Sequence, residues 1–144
     1  MSGWAARFPV ASLYLAVGLG SALGGTTRWL LSEGMQVGFG GGWPWGTLFV
    51  NVTGSLLIGC YAALSAPDGR LFPSPHQRHF VMTGLCGGYT TFSIFSLETM
   101  RVVEDGRLAA AALQVGVSLA GWLLAVWVGY SLAVKLNRLR RTEP

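Results

Sequence analysis

TGLCGGYTTFSIFSLET, running from Thr83 to Thr99, falls where a third apolar segment of this chain should cross a bilayer. Its middle, Gly87, Gly88, Tyr89, Thr90 and Thr91, joins the backbone freedom of paired glycines to a cluster of hydroxyls, a poor composition for an unbroken helix. The pattern predicts a helix broken near its middle. In hydrocarbon an unpaired N–H or C=O is so costly that a break persists only where those groups meet protein, an ion or a water-filled cavity. Freed carbonyls suit a hard cation and half-helix N-termini suit an anion, so one broken helix can serve both signs of charge. Phe92 and Phe95 follow at i, i+3, on one helical face. The plainer alternative is a Gly-rich packing helix with two lipid-facing rings.

The rest of the chain supplies the setting. Of its 144 residues, 51% are hydrophobic and only 11% charged, and the mean hydropathy is +0.48. Soluble domains carry about a quarter of their residues as charges. Four apolar runs, residues 10–31, 45–64, 80–103 and 108–134, come near or above the ~20 residues that a membrane-crossing helix needs. The expected fold is an all-α integral membrane protein, one membrane domain over residues 1–144 with four transmembrane helices and no soluble domain. The first run follows Arg7 and has small residues at Ser21 and Ala22, as a secretory signal does. Its full span length, with Gly20 and Gly24 set as a small-xxx-small seam, makes helix packing the expected use.

The polar residues within the runs are few. Thr47, Asn51 and Ser55 stand at i, i+4, i+8, one stripe on the second helix. An amide in mid-span needs a partner, so Asn51 either glues helices together or lines a polar track. Arg28, near the end of the first run, is either a snorkelling interface residue or a buried positive charge facing a polar path. Glu98 either pairs with Arg101 across one turn or acts as a vestibule charge. On the fourth helix Gln114 and Ser118 form a polar side, while Gly121, Ala125 and Gly129 make a smooth packing seam.

Between the runs, Glu33 to Pro44 is glycine-rich and reads as an interfacial turn anchored by Trp43 and Trp45, and Ala66 to Arg78 reads as a loop. His76 and His79 in that loop lack companions for a metal site. Cys60 and Cys86 lie inside spans and read as packing residues, not as a disulfide. The basic tail, Lys135, Arg138, Arg140 and Arg141, flanks a membrane; a nucleic-acid patch would need a soluble fold to display it.

Orientation is balanced. With an even number of spans, Arg7, Arg70, Arg78 and the tail share one side, against Arg28, Arg101 and Arg107. The full count places both termini in the cytoplasm. Without the tail the sides are equal, which hints at insertion either way.

GGTTRW (Gly24 to Trp29), WGTLFVNVTGS (Trp45 to Ser55) and TGLCGGYTTFSIFSLET together resemble the Fluc/CrcB family of fluoride channels, and the resemblance covers nearly the whole chain. It implies an antiparallel, dual-topology homodimer in the inner (plasma) membrane, with two fluoride pathways along the subunit interface. Such a protein exports fluoride passively, lowers its cytoplasmic toxicity, and is not an enzyme. It also implies one central structural sodium ion, not transported, held by backbone carbonyls matching Gly87 and Thr90, each contributed twice. Phe92 and Phe95 would face fluoride edge-on, where the ring quadrupole is positive. Asn51 would donate to the ion, Ser118, Gln114 and Thr47 would extend the polar pathway, and Arg28 and Glu98 would shape its field. Four residues depart from the family pattern and leave the fine path open: Tyr89 stands where Leu is frequent, Ile94 where Thr is common, Trp122 where Ser occurs and Gln114 where others carry Tyr or Asn.

Competing classes lack their chemistry. A small multidrug antiporter needs a carboxylate deep in its cavity, yet the first two spans hold neither Asp nor Glu. An intramembrane enzyme needs a nucleophile with a base, or a metal set, and the histidines lie in a loop. A purely structural membrane subunit would use the glycines for packing alone.

Overall fold

The computed structural model describes residues 10–40 and 42–141, with side chains through residue 139. Arg7 and the side chains of Arg140 and Arg141, counted above for orientation, lie outside the described residues. The order is α1 (Val10–Phe39), α2 (Trp45–Leu64), α3 (Pro75–His79), a π-helical stretch π1 (Phe80–Cys86), α4 (Gly87–Tyr89), α5 (Ser93–Glu104) and α6 (Leu108–Arg141). Four helices are long and apolar enough to cross a membrane, the third of them being the stretch Pro75–Glu104 that contains α3 through α5.

Two connecting segments are shorter than the sequence suggests. The turn expected over Glu33 to Pro44 is helical as far as Phe39. Glu33, Met35 and Gln36 are sound helix formers, and Gly34 and Gly38 cost only about 1 kcal/mol each relative to Ala. The helix stops at Gly40, whose φ of 77° lets its N–H reach the Gln36 carbonyl at 3.0 Å. Rings of Phe39 and Trp43 then flank Trp45 at 5.8 and 6.4 Å between centroids. The loop expected over Ala66 to Arg78 ends early as well, because Ser74 starts a helix. Ser74 Oγ accepts the Gln77 N–H at 3.3 Å, Gln77 Oε1 accepts the Ser74 N–H at 2.9 Å, and Pro75 fits the first turn. His76 therefore sits on α3, 2.7 Å from Ser12 Oγ on α1.

Small residues set the packing. A Cβ on Gly20 would lie 2.5 Å from the Phe80 carbonyl oxygen and 2.9 Å from Gly84 Cα, and one on Gly88 would lie 2.6 Å from the Ser21 carbonyl oxygen. Gly24 is as tight, against the Leu85 carbonyl and the Tyr89 nitrogen. The backbones of α1 and of the π1 and α4 stretch are thus in direct contact, as the Gly20 and Gly24 seam anticipates. On the other side α2 packs along α6. Gly59 lies against the Val126 carbonyl, Gly129 against the Leu56 carbonyl, and Gly121 near a methyl of Val52, with Ala125 and Ala133 buried on the same seam. Leu15, Leu19, Leu123 and Trp127 remain exposed, an outer surface suited to hydrocarbon. Cys60 and Cys86 are free thiols.

Replacing Gly24 by Ala forces α1 away from α4, so Gly24→Ala should lower stability by about 1–3 kcal/mol. Gly18→Ala, with nothing within 4 Å of the new methyl, should stay within about 0.5 kcal/mol. Unfolding by SDS titration in mixed micelles measures both.

Candidate functional site

The glycine pair is not where the backbone leaves helical geometry. Gly87 has φ −65° and ψ −37°, an ordinary right-handed conformation open to any residue, and α4 extends through Tyr89. The irregularity expected across Gly87 to Thr91 thus falls at the end of that stretch, and Gly87 needs no conformation reserved for glycine. Gly88 is needed for contact with Ser21, whereas a methyl on Gly87 would meet only the Met82 carbonyl oxygen, at 3.9 Å. Thr90 is the residue that turns, with φ −85° and ψ 158°, and α5 begins at Ser93.

The hydrogen bonds explain why. Asn51 on α2 presents its side-chain amide to Thr91: Nδ2 donates to the Thr91 carbonyl at 2.8 Å, and Oδ1 accepts the Thr91 N–H at 2.7 Å. A continuous helix would send the Thr91 N–H to the Gly87 carbonyl and the Ile94 N–H to the Thr90 carbonyl. The first goes instead to Asn51, and the second to Thr91 Oγ1 at 3.2 Å. Gly87 and Thr90 are thus among the carbonyls deprived of their regular donors, as Gly88 and Tyr89 are too. The Gly88 carbonyl accepts from Arg28 Nε at 3.3 Å, so Arg28 turns inward to the backbone. Tyr89 is buried, its hydroxyl 2.9 Å from Thr53 Oγ1. Gly54 leaves room beside it, since a Cβ there would strike the Thr90 methyl.

Around this point lies a groove of about 280 Å³, lined by Asn51, Ser55, Gly87, Thr90, Phe92 and Trp122 among others. The two phenylalanines part company there. Phe95 is 5% exposed and Phe92 is 68% exposed, with ring centroids 5.6 Å apart. Phe95 also meets Trp122 of α6 edge to face, at 4.9 Å and 76°. Gly87 likewise faces outward.

A second cavity, about 150 Å³, is lined by Arg28, Thr47 and Glu98 together with Glu33, Gln36 and Ile94. Thr47 Oγ1 donates to Glu98 Oε1 at 2.9 Å, while Glu98 Oε2 is buried with no partner. No ion pair at contact distance joins Glu98 to Arg101; the carboxylate's hydrogen bond goes to Thr47 on the facing helix. Gln114, 1% exposed, donates Nε2 to Thr99 Oγ1 at 3.1 Å, and Ser118 is buried one turn further along α6. Neither lines these two cavities.

Thr91 and Trp122 were not among the expected site residues. Trp122 follows Ser118 at i+4, on the polar side of α6, which is the signal that could have found it. Thr91 meets Asn51 through its backbone, which side-chain chemistry does not reveal. Among the described residues no group of three or more His, Cys, Asp or Glu side chains could hold a metal. A cation here would depend on carbonyls.

The fold and the groove define a small four-helix membrane protein with an open groove at an irregular third segment. Residues 15–130 match the family model described as CrcB-like protein, Camphor Resistance (CrcB), and the chain belongs to that family. It is 54% identical over 132 residues, 92% of this chain and 94% of the relative, to a Rhodopseudomonas palustris protein named fluoride-specific ion channel FluC 1. A Bradyrhizobium diazoefficiens protein of the same name is 50% identical over 96% of both chains. An Opitutus terrae fluoride-specific ion channel FluC is 50% identical over 90% of this chain and 98% of its own.

Asn51→Ala would leave the Thr91 N–H and C=O buried without partners, a cost of about 1–3 kcal/mol per group. Amide hydrogen exchange in a peptide spanning Thr90 to Phe92 should then quicken about tenfold or more. Mass spectrometry of the exchanged protein in micelles reads this directly.

Proposed function

We propose that this chain is a passive, fluoride-selective channel that lets fluoride leave the cell across its inner membrane and so limits its toxicity. The observation that carries the reading is the Asn51 amide and the Phe92 ring in one groove, with Phe95 packed behind Phe92, in a chain half identical to proteins named fluoride-specific ion channels.

Fluoride is small and strongly hydrated, so a pore must replace its hydration shell with closely set donors. Asn51 has one N–H left after serving Thr91, and the edges of Phe92 and Phe95 carry positive partial charge. Chloride is larger and cannot come as close to donors fixed at that spacing. Thr47, Arg28 and Glu98, gathered in the second cavity, form one mouth of the path in this reading, and Ser118 and Gln114 extend its polar wall along α6.

The conducting unit in this reading is an antiparallel homodimer within the lipid bilayer. Gly87 and Phe92, both facing outward, form the face that meets the second copy. The carbonyls of Gly87 and Thr90 are hard oxygen ligands lacking their helical donors, and two from each copy give four around the two-fold axis. That set fits a buried sodium ion whose positive field favours an anion nearby, in a span that is broken at Thr90. Sodium would be structural there and not transported. Because these ligands are backbone atoms and Gly87 has an ordinary φ, side-chain changes at both positions act through the fit of the two copies.

Purified protein in liposomes, loaded with potassium fluoride and given valinomycin without a proton gradient, tests the conduction. Parent protein should release fluoride, whereas Phe92→Ile and Phe95→Ile should slow release about tenfold or more, equivalent to ~1.4 kcal/mol. Asn51→Asp, which sets a negative charge in an anion path, should nearly abolish it. Release that strictly requires a proton gradient would overturn the reading.

Sodium is tested separately. Prolonged exchange into sodium-free buffer should abolish fluoride flux and lower the melting temperature, and added sodium should restore both. Unchanged flux and stability after exchange would defeat the sodium assignment.

A further inference from the structure

The C-terminal end of α2 borders a cavity of about 240 Å³, remote in the fold from the Asn51 groove. It is lined by Ala63, Ala66, Asp68, Tyr130, Asn137 and Arg138, with Val134. Asn137 of α6 donates Nδ2 to the Ala63 carbonyl at 2.9 Å, capping α2, which leaves Asn137 Oδ1 buried with no donor. A helix C-terminus carries negative partial charge, and Asp68 adds a full negative charge at the same rim. Arg138, the next residue along α6, adds a positive one, and no ion pair joins it to Asp68.

This is a polar cavity with two unlike ends. The carboxylate of Asp68, beside the end of α2, calls for a cationic group with several N–H donors. Arg138 calls for an anionic oxygen on the same ligand, because a guanidinium matches phosphate. Tyr130 and Val134 lie two turns and one turn before Arg138 and carry the lining down an apolar helix face, Tyr130 being 51% exposed. A ligand with a polar head and an apolar continuation fits that order. We propose that the cavity binds the head group of an ethanolamine phospholipid, its primary ammonium on Asp68 and its phosphate on Arg138.

Delipidated full-length protein is incubated with phosphatidylethanolamine, its mono- and dimethylated forms and phosphatidylcholine, all with the same acyl chains, and bound lipid is counted by native mass spectrometry. Each methyl removes an N–H, so retention should fall stepwise, by about tenfold across the series, the range of a charged hydrogen bond. Asp68→Asn should abolish the preference for ethanolamine, and Arg138→Gln should weaken all four lipids alike. Both side chains are exposed at the rim, and circular dichroism checks that the variants remain folded. Equal retention of the ethanolamine and choline lipids by the parent protein overturns the proposal, as does an Asp68→Asn variant that keeps the preference. Soluble phosphoethanolamine binding as tightly as the lipid overturns the lipid assignment. Fluoride flux is not the readout, so this outcome is separate from that of the channel reading.

Discussion

The side-chain amide of Asn51 stands in for a peptide unit. It offers the same acceptor and donor as a neighbouring strand or helix turn, and Thr91 takes both, at 2.7 and 2.8 Å. Without it, the turn at Thr90 would strand an N–H and a C=O away from water, and the chain would gain by closing up into an unbroken helix. One residue on α2 therefore allows the third segment to be irregular. Because the amide takes the Thr91 N–H, the Gly87 carbonyl loses its helical donor; the groove's acceptors are a by-product of the clamp. The choice between helix glue and polar lining, open for Asn51 on sequence grounds, dissolves here, since Asn51 bonds the facing segment and borders the groove as well.

The clamp holds its position because the helices around it are close. Gly20, Gly24, Gly84 and Gly88 let α1 and the π1 and α4 stretch touch backbone to backbone, without intervening side chains. Arg28 follows Gly24 by one turn and so emerges on that same face, near enough for Nε to reach the Gly88 carbonyl. A larger residue at Gly24 would move the arginine as well as the helix. The irregular segment is thus supported from two sides, by a side chain from α2 and by glycine contacts and a guanidinium from α1.

Much of this was legible in the sequence, and the failures are physical ones. The apolar runs located the helices because a bilayer leaves little choice of element, and α2, Trp45–Leu64, coincides with its run. Asn51 and the Gly20 and Gly24 seam stood out because amides and spaced glycines are conspicuous among Leu and Val. Helix ends outside the apolar runs were less legible: Glu33 to Phe39 and Pro75 to His79 are polar or glycine-rich yet helical, since caps at Gly40 and Ser74 set those ends and hydropathy does not. Composition places the irregularity within Gly87 to Thr91 but not at its residue, because Gly87 keeps a helical φ and the turn at Thr90 is dictated by the hydrogen bonds of Thr91 to Asn51. The different fates of Phe92 and Phe95 were hidden for a related reason: their equal spacing on a helix holds, but Phe92 sits at the first turn of α5, where the chain has just changed direction.

α6 has 34 residues, a length of about 51 Å at ~1.5 Å per residue. Laid within hydrocarbon ~30 Å thick it would need a tilt of roughly 54°, beyond the range of about 0–40° that membrane helices adopt. Its last turns must therefore stand out in the water as a rigid mast continuous with the span that packs on α2. A reporter protein joined there would have no free swivel: inserting one helical residue would swing it by about 100° around the mast and raise it by ~1.5 Å. The C-terminal end thus behaves as a pointer whose bearing is geared to the rotation of the helix inside the membrane.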